Sequence, residues 1–237
     1  MLFIIDFEFT GLDSEYIREH EIMETKIGIC NDKFELISRH CWTHKTNREN
    51  SIGSFLVNGI TKDMQTSDVF SNKWFNETLT ELGVIKQNNS DRKTKIKLFG
   101  FGIKQDKVML KKYNVDVSEI VYTDIQELLG LSEEHEQDMV ENGRSLETCH
   151  AIVTGNPSQC DHHGTDELDW ISDIGQEILR VKPLKEHYKF MPWGRFRGMP
   201  LSDYVSKNRR AADGYRYNNN DVLANSMNHE IASMFEY

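Results

Sequence analysis

The chain is 237 residues long and carries a formal net charge of −10, with 38% hydrophobic and 10% aromatic residues. That length and apolar content predict one domain with a core, or a domain with a small appendage, and they exclude a globally disordered chain. Four scattered cysteines with no C-x-x-C pair argue against a disulfide scaffold or a zinc finger, and no apolar run reaches the ~18–20 residues of a membrane span. We therefore expect a cytoplasmic protein with no membrane partner.

The predicted elements alternate between strands and helices after an opening antiparallel meander. The first strand covers residues 1–9, an apolar run that carries two acids and ends at Thr10-Gly11. The other predicted strands cover 26–30, 34–43, 96–100 and 117–123, and the predicted helices cover 67–82, 106–113, 124–131 and 166–179. This order predicts an α/β fold in which a mixed sheet is flanked by helices.

Two acidic residues lie in the most hydrophobic strand of the chain. Asp6 and Glu8 are two residues apart, and because side chains alternate along a strand, both carboxylates face the same side. Beside Ile4 and Ile5 they would repel each other and lose hydration unless a cation lay between them. Carboxylate oxygens suit hard divalent ions, so the pattern predicts a Mg²⁺ or Mn²⁺ site. The alternative is an edge strand with solvated acids.

Three short blocks resemble motifs of the DEDD exonuclease superfamily. I-I-D-F-E-F-T-G at residues 4–11 is similar to the first motif, D-x-E-x-T-G, and N-G-I-T-K-D-M at 58–64 is similar to the H-G-I-T-x-x-M loop, with asparagine in place of histidine. G-F-G-I-K-Q-D at 100–106 takes the place of the second motif and matches it at Gly100 and Asp106. The resemblance implies a ribonuclease H-like fold and a third metal ligand at Asp106, which would otherwise be read as a helix cap.

The third motif departs from the spacing of the superfamily, in which a histidine lies five residues before an aspartate. In H-H-G-T-D-E, His162 lies four residues before Asp166 and five before Glu167. The apolar stripe of the predicted helix places Asp166 about 110° from its centre, Asp169 on the solvent side and Glu167 toward the core. In the superfamily the residues that pack on the sheet are centred roughly 105° from the ligand, so the resemblance favours Asp166 as the fourth ligand, with Glu167 and Asp169 as alternatives. His162 is the candidate base and His163 the alternative, unless the pair only caps the helix.

Charge and aromatic content divide the chain near residue 182. Residues 183–237 carry a net charge of +2 against −12 for residues 1–182, and aromatic residues are interleaved with the basic ones. We predict an exonuclease domain over 1–182 and a small basic C-terminal module over 183–237 that binds nucleic acid; the alternative is a solvated extension packed on the core. M-P-W-G-R-F-R-G-M-P-L-S-D-Y at 191–204 resembles F-G-K-Y-K-G-x-P-L-S-E, a module behind the nuclease domain of exodeoxyribonuclease X and related proteins. Arg195 and Arg197, spaced like strand neighbours, would present two cations on one face.

The superfamily resemblance implies a two-metal 3′–5′ exonuclease that releases 5′-mononucleotides. The implied ligands of two Mg²⁺ or Mn²⁺ ions are Asp6, Glu8, Asp106 and Asp166. The implied contacts with the terminal nucleoside are made around Phe9, Thr10 and Leu12. The C-terminal resemblance favours single-stranded DNA as the substrate. The alternatives are a 3′–5′ exoribonuclease and a catalytically impaired nuclease fold that binds nucleic acid or a protein partner.

Overall fold

The computed structural model describes residues 1–11, 19–85, 96–117, 120–156, 164–182, 184–192 and 194–208, together with Leu223 and Ser226. The chain forms two compact units. The first unit combines Met1–Ile125 with Ser158–Gln176, and the second combines Gln126–Pro157 with Glu177–Tyr237. The second unit thus includes residues 126–157 as well as the C-terminal segment, whereas the functional boundary near residue 182 stays a prediction.

The described part of the first unit is built on a five-stranded mixed sheet. Its strands are β1 (Leu2–Phe9), β2 (Ile22–Cys30), β3 (Leu36–Thr43), β4 (Ile96–Gly100) and β5 (Ile120–Asp124). In the order β3-β2-β1-β4-β5, the first three strands are antiparallel, and β4 and β5 run parallel to β1. The predicted mixed sheet with an opening meander is confirmed.

Helices flank this sheet and also build the second unit. They are α1 (Ile52–Asn58), α2 (Asn72–Glu81), α3 (Lys104–Lys112), α4 (Ile125–Gly130), α5 (Glu136–Asn142), α6 (Leu146–Thr154), α7 (Asp166–Arg180) and α8 (Leu201–Lys207). Helix α2 begins later than its predicted start at residue 67, because the Ser71 hydroxyl caps it by accepting a hydrogen bond from the Trp74 amide at 3.1 Å. Among the described helices, none combines the length and the apolar content needed to cross a membrane.

Strand β1 has an apolar face and a charged face. The side chains that enter the apolar core of the first unit are those of Phe3, Ile5, Phe7 and Phe9. Asp6 and Glu8 alternate with them and therefore lie on the opposite face of the sheet. Helix α7 packs on that face, where Gly175 lies so close to Phe34 that a Cβ at this position would be 2.5 Å from the Phe34 ring. The two acids are consequently covered by α7 and lie between the sheet and a helix.

The second unit has an apolar cluster of its own, made by Leu131, Tyr188, Met191, Leu201, Tyr204, Val205 and Leu223. Gly194–Phe196 forms a 3₁₀ turn, and Gly198 adopts a φ of 83°, a conformation that favours glycine. Arg195 and Arg197 are exposed, and the Arg195 guanidinium lies over the Phe196 ring with its Cζ 4.6 Å from the ring centroid. The two arginines thus lie in a turn, and the strand-like arrangement expected from their spacing was wrong because the turn residues bend the chain there.

Candidate active site

Pairing between β1 and β2 brings four charged side chains to one face of the sheet. Asp6 lies directly opposite Lys26, and Glu8 lies directly opposite Glu24. Residues that oppose each other on antiparallel strands point to the same side, so these four side chains form one group beneath α7. The two-residue spacing of the acids in β1 is matched by the same spacing of Glu24 and Lys26 in β2.

The Lys26 ammonium lies among the carboxylates of this group. Its Nζ is 2.9 Å from Glu8 Oε1 and 3.1 Å from Asp6 Oδ2, and it also contacts Glu167 Oε2 from α7. Glu24 Oε2 is slightly farther away, at 3.6 Å. The side chains of Lys26 and Glu24 are fully buried. We call Asp6, Glu8, Glu24, Lys26 and Glu167 the Lys26 cluster.

Three members of the Lys26 cluster have the arrangement of a metal site. One carboxylate oxygen from each of Asp6, Glu8 and Glu167 lies within 4.8 Å of the other two. Asp6 Oδ2 is buried and forms an ion pair with Lys26, whose Nζ is 3.1 Å away. Three carboxylates converge on one ammonium, so in their ionised form they carry more negative charge than Lys26 balances.

The electrostatics of the cluster lead to the same conclusion. Burial raises the pKa of Asp6 to about 7 and that of Glu8 to about 8, because Lys26 offsets only part of the desolvation and neighbouring carboxylates add repulsion. Burial lowers the pKa of Lys26, but the surrounding carboxylates outweigh it and hold that pKa well above its usual value. Lys26 therefore stays charged, whereas Asp6 and Glu8 retain their protons up to about neutral pH, because one ammonium does not offset their burial and mutual repulsion.

Asp106 is positioned by α3 and by strand β5. It lies in the first turn of α3, is buried, and accepts a hydrogen bond of 2.8 Å at Oδ2 from the Tyr122 hydroxyl. Burial raises the pKa of Asp106 well above its usual value, and the charge of Asp6 raises it further, whereas the Tyr122 hydrogen bond lowers it. Gly100 permits this arrangement, because a Cβ there would lie 2.8 Å from the Tyr122 oxygen and 2.9 Å from Ile5 O. Asp106 lies outside the group of three oxygens within 4.8 Å.

The structure separates the three acids at the start of α7. Glu167 is buried and reaches the Lys26 cluster, whereas Asp166 is exposed. Asp169 pairs with Arg39 at the surface, with Arg39 Nε 2.9 Å from Asp169 Oδ2. Helix periodicity placed Glu167 correctly on the packed face. That face was expected to pack on an apolar surface, but the sheet beneath the start of α7 carries the charged side chains of β1 and β2. Metal ligation by Asp166 stays a prediction, and the geometry favours Glu167.

The predicted nucleoside-binding residues lie where β1 ends and α1 begins. Phe9 is buried, and its carbonyl accepts a hydrogen bond of 2.6 Å from Ser54 Oγ. The Thr10 carbonyl accepts one of 2.9 Å from the Ser51 amide. Leu12, His162 and His163 lie outside the described residues, so their predicted roles stay predictions. Arg195 and Arg197 are described by the structure, but their role in nucleic-acid binding also stays a prediction.

In the loop that resembles H-G-I-T, Asn58 has a structural role. It is buried, its Oδ1 accepts a hydrogen bond of 3.0 Å from the Ile60 amide, and its Nδ2 donates one of 3.0 Å to Ser54 Oγ. The asparagine therefore connects α1 to the following loop.

Sequence reasoning missed Glu24 and Lys26. The signal was present, since the run I-M-E-T-K-I-G-I-C places an acid and a base two residues apart inside an apolar strand. The predicted second strand began at Lys26, whereas β2 begins at Ile22, and so Glu24 was left outside it.

The chain matches no protein-family model and no curated protein. Solved structures do match it. One is Exonuclease X in complex with 5′ overhanging duplex DNA, with a TM-score of 0.51, 14% identity and coverage of 77% of this chain and 93% of that chain. Another is a full-length 3′-exonuclease, with a TM-score of 0.56, 18% identity and coverage of 84% and 89%. The nuclease domain of 3′hExo, a DEDDh family member bound to rAMP, has a TM-score of 0.54, 18% identity and coverage of 76% and 92%.

The chain has the fold of the DEDDh exonucleases. The ribonuclease H-like sheet expected from the sequence motifs is thereby confirmed, and β1 carries the first motif in the middle of that sheet. At these identities the likeness establishes the fold, and the activity has to be argued from the residues of the site.

Proposed function

We propose that the protein is a metal-dependent 3′–5′ exonuclease that releases 5′-mononucleotides. The observation that carries the proposal is the convergence of Asp6, Glu8 and Glu167 within 4.8 Å of one another, on a fold shared with 3′-exonucleases. Asp106 adds a fourth carboxylate next to β1, because the Tyr122 hydroxyl that donates to Asp106 Oδ2 at 2.8 Å also lies 3.4 Å from the carbonyl oxygen of Ile5, the residue before Asp6. Such a group of acids in one buried place is expensive to maintain unless it serves a cation.

The donor set fits a hard divalent ion. Every candidate ligand is a carboxylate, and carboxylate oxygens suit Mg²⁺ or Mn²⁺. Oxygens of Asp6, Glu8 and Glu167 lie close enough together to act as ligands of one such ion. Asp6, Glu8 and Asp106 would hold two ions together with an acid from the start of α7, for which the geometry favours Glu167 over the predicted Asp166.

Different residues of the chain would have different roles in phosphodiester hydrolysis. When bound, two divalent ions supply a water of lowered pKa and stabilise the charge on the departing 3′ oxygen. His162 or His163 would accept the proton of the attacking water, a task that suits a histidine pKa near ~6.5. Tyr122 would hold the Asp106 carboxylate in one orientation through its hydrogen bond of 2.8 Å.

Single-stranded DNA is the proposed substrate. The basic C-terminal module, with Arg195 and Arg197 exposed, would contribute cations to the phosphate backbone and rings to the bases. The resemblance of segment 191–204 to a module of DNA exonucleases favours DNA over RNA. An exoribonuclease would differ by contacts with the 2′-hydroxyl, and one structural neighbour is a nuclease domain bound to rAMP.

A second candidate function is binding of nucleic acid without cleavage. The position of Lys26 favours it, because the ammonium already provides a cation to Asp6, Glu8 and Glu167. A cluster neutralised in this way could persist in a nuclease fold that no longer loads metal ions.

Cleavage of end-labelled DNA and RNA oligonucleotides in Mg²⁺ or Mn²⁺ tests the two functions. We expect a ladder that shortens from the 3′ end of single-stranded DNA, and we expect Asp6→Ala to abolish cleavage while retaining strand binding. Asp32→Ala, which alters an exposed acid in the turn between β2 and β3, is the matched control and should cleave like wild type. Binding without any cleavage by wild type in either ion would favour the second candidate, and cleavage of RNA alone would reverse the substrate assignment.

A further inference from the structure

Lys26 Nζ occupies the space that an ion bound by Asp6, Glu8 and Glu167 would need. It contacts one oxygen of each of these three carboxylates, and those carboxylates are the compact group with oxygens within 4.8 Å of one another. Its side chain is fully buried, so the ammonium cannot exchange these contacts for water without moving. An ammonium and a divalent ion repel each other strongly at such distances in a buried site.

We propose that the Lys26 ammonium competes with a divalent ion for Asp6, Glu8 and Glu167. The ammonium must leave these three carboxylates before the ion binds them. The inference rests on the proposed function in assigning those carboxylates to a metal ion. It adds that a residue of the chain sets the ion concentration at which the centre becomes loaded.

Glu24 is the acceptor that lets Lys26 move without leaving the cluster. It lies two residues away on β2, with Oε2 3.6 Å from Lys26 Nζ, and it is not one of the three acids with mutually close oxygens. Other donors already hold its carboxylate in place, with Thr43 Oγ1 at 3.2 Å and the Gly164 amide at 3.3 Å. A shift of the ammonium toward Glu24 keeps the lysine paired inside the protein while it releases the three carboxylates.

The competition has a thermodynamic consequence that can be measured without any nuclease assay. Ion binding to wild type includes the cost of moving Lys26, whereas a variant with a neutral, similarly long side chain does not bear that cost. By linkage, the same residue that weakens ion binding also stabilises the ion-free protein, since it is the counter-ion of the cluster in that state. Removing the charge should therefore strengthen ion binding and lower stability in the absence of ions.

Equilibrium binding of Mn²⁺ to the full chain, followed by the electron paramagnetic resonance signal of free Mn²⁺, tests the proposal. We expect Lys26→Met to bind Mn²⁺ at least about tenfold more tightly than wild type, and Lys26→Arg, which keeps the charge, to stay within about threefold of it. Lys185→Met is the matched control, because it removes another mostly buried lysine that contacts Glu136 in the second unit. Its Mn²⁺ affinity should equal that of wild type. Equal or weaker binding by Lys26→Met would overturn the competition.

Two further measurements keep the test decisive if Lys26→Met folds poorly. Saturating Mn²⁺ should raise the melting temperature of Lys26→Met more than that of wild type, and a variant that folds only with the ion is the extreme form of this result. In wild type, the Nζ resonance of Lys26 should shift as Mg²⁺ saturates the site, whereas that of Lys185 should not. A Lys26 resonance that stays unchanged at saturation would overturn the proposal without any variant.

These results separate the inference from the proposed function. Tighter Mn²⁺ binding by Lys26→Met in a protein that never cleaves DNA or RNA would support the competition and contradict the exonuclease. Metal-dependent cleavage by wild type, with equal Mn²⁺ affinity in wild type and Lys26→Met, would support the exonuclease and contradict the competition.

Discussion

Asp6 and Lys26 lie directly opposite each other on antiparallel strands, and Lys26 Nζ is 3.1 Å from Asp6 Oδ2. This pair connects the first acidic motif of the chain with a cation that the motif does not contain. It also explains how the ion-free protein retains several buried carboxylates on one face of its sheet. Under the proposed competition, the stability and the metal affinity of the site both depend on this pair.

The three acids at the start of α7 give a direct test of the fourth ligand. We expect Glu167→Gln to reduce cleavage at least about 100-fold, because the charge stabilisation supplied by a bound ion is worth several kcal/mol. Asp166→Asn and Asp169→Asn should stay within about threefold of wild type, since Asp166 is exposed and Asp169 is paired with Arg39. Initial rates on labelled single-stranded DNA measure all three. A large loss in Asp166→Asn alone would restore the assignment made from helix periodicity.

Tyr122 should be a positioning residue for Asp106. Tyr122→Phe removes the hydrogen bond of 2.8 Å to Asp106 Oδ2 and leaves a buried carboxylate short of a donor, which typically costs about 1–3 kcal/mol. We expect that loss in the free energy of unfolding measured with urea, together with slower cleavage. A double-mutant cycle with Asp106→Asn should give a coupling of about 1 kcal/mol or more. Additive effects would show that the hydrogen bond does not link the two residues.

The ion-free protein should lose stability as the pH rises from about 4 to about 8. In this window the unfolded chain has released the protons of Asp6 and Glu8, whereas the folded protein retains them because burial raises their pKa values to about 7 and about 8. The folded state therefore binds more protons, and the free energy of unfolding falls as the pH rises across this window.

Urea unfolding in chelator at pH 5 and pH 8 measures this dependence. Asp6→Asn should show a shallower slope, since one of the titrating groups is gone, and saturating Mg²⁺ should flatten the slope in wild type by holding the carboxylates ionised in the folded state. A wild-type slope that is the same with and without Mg²⁺ would contradict the assignment of these carboxylates to the ion.

The C-terminal arginines should affect strand affinity and leave the chemical step unchanged. We expect Arg195→Gln and Arg197→Gln each to weaken binding of single-stranded DNA and to reduce the salt dependence of log K by about 0.7. The value of kcat at saturating substrate should not change. Lys33→Gln, at an exposed lysine in the turn between β2 and β3, is the control and should alter neither quantity. A changed kcat with an unchanged salt slope would contradict a phosphate-binding role.

Much of the fold, and the shared face of the first two candidate acids, follow from local patterns in the sequence. The alternation of apolar residues with Asp6 and Glu8 in β1 requires only the period of a strand, and it correctly placed both acids on one face. Asp106 was singled out by the resemblance of residues 100–106 to the second exonuclease motif, and the structure has it buried in the first turn of α3, while its role as a ligand stays a prediction. The shared face of Asp6 and Glu8 could be predicted because these residues are close together in the chain, where backbone geometry alone sets the direction of the side chains.

The rest of the site was decided by tertiary structure. The β1–β2 register sets which residue of β2 opposes Asp6, and that register depends on the packing of the whole sheet. The role of Glu167 depends on what lies beneath the start of α7, and helix periodicity gives the direction of a side chain but not the character of the surface it meets. The sequence alone therefore determined the α/β fold and the presence of paired acids. The three-dimensional packing alone determined that a buried lysine lies among them, because contacts between distant segments are set by how the sheet and helix come together.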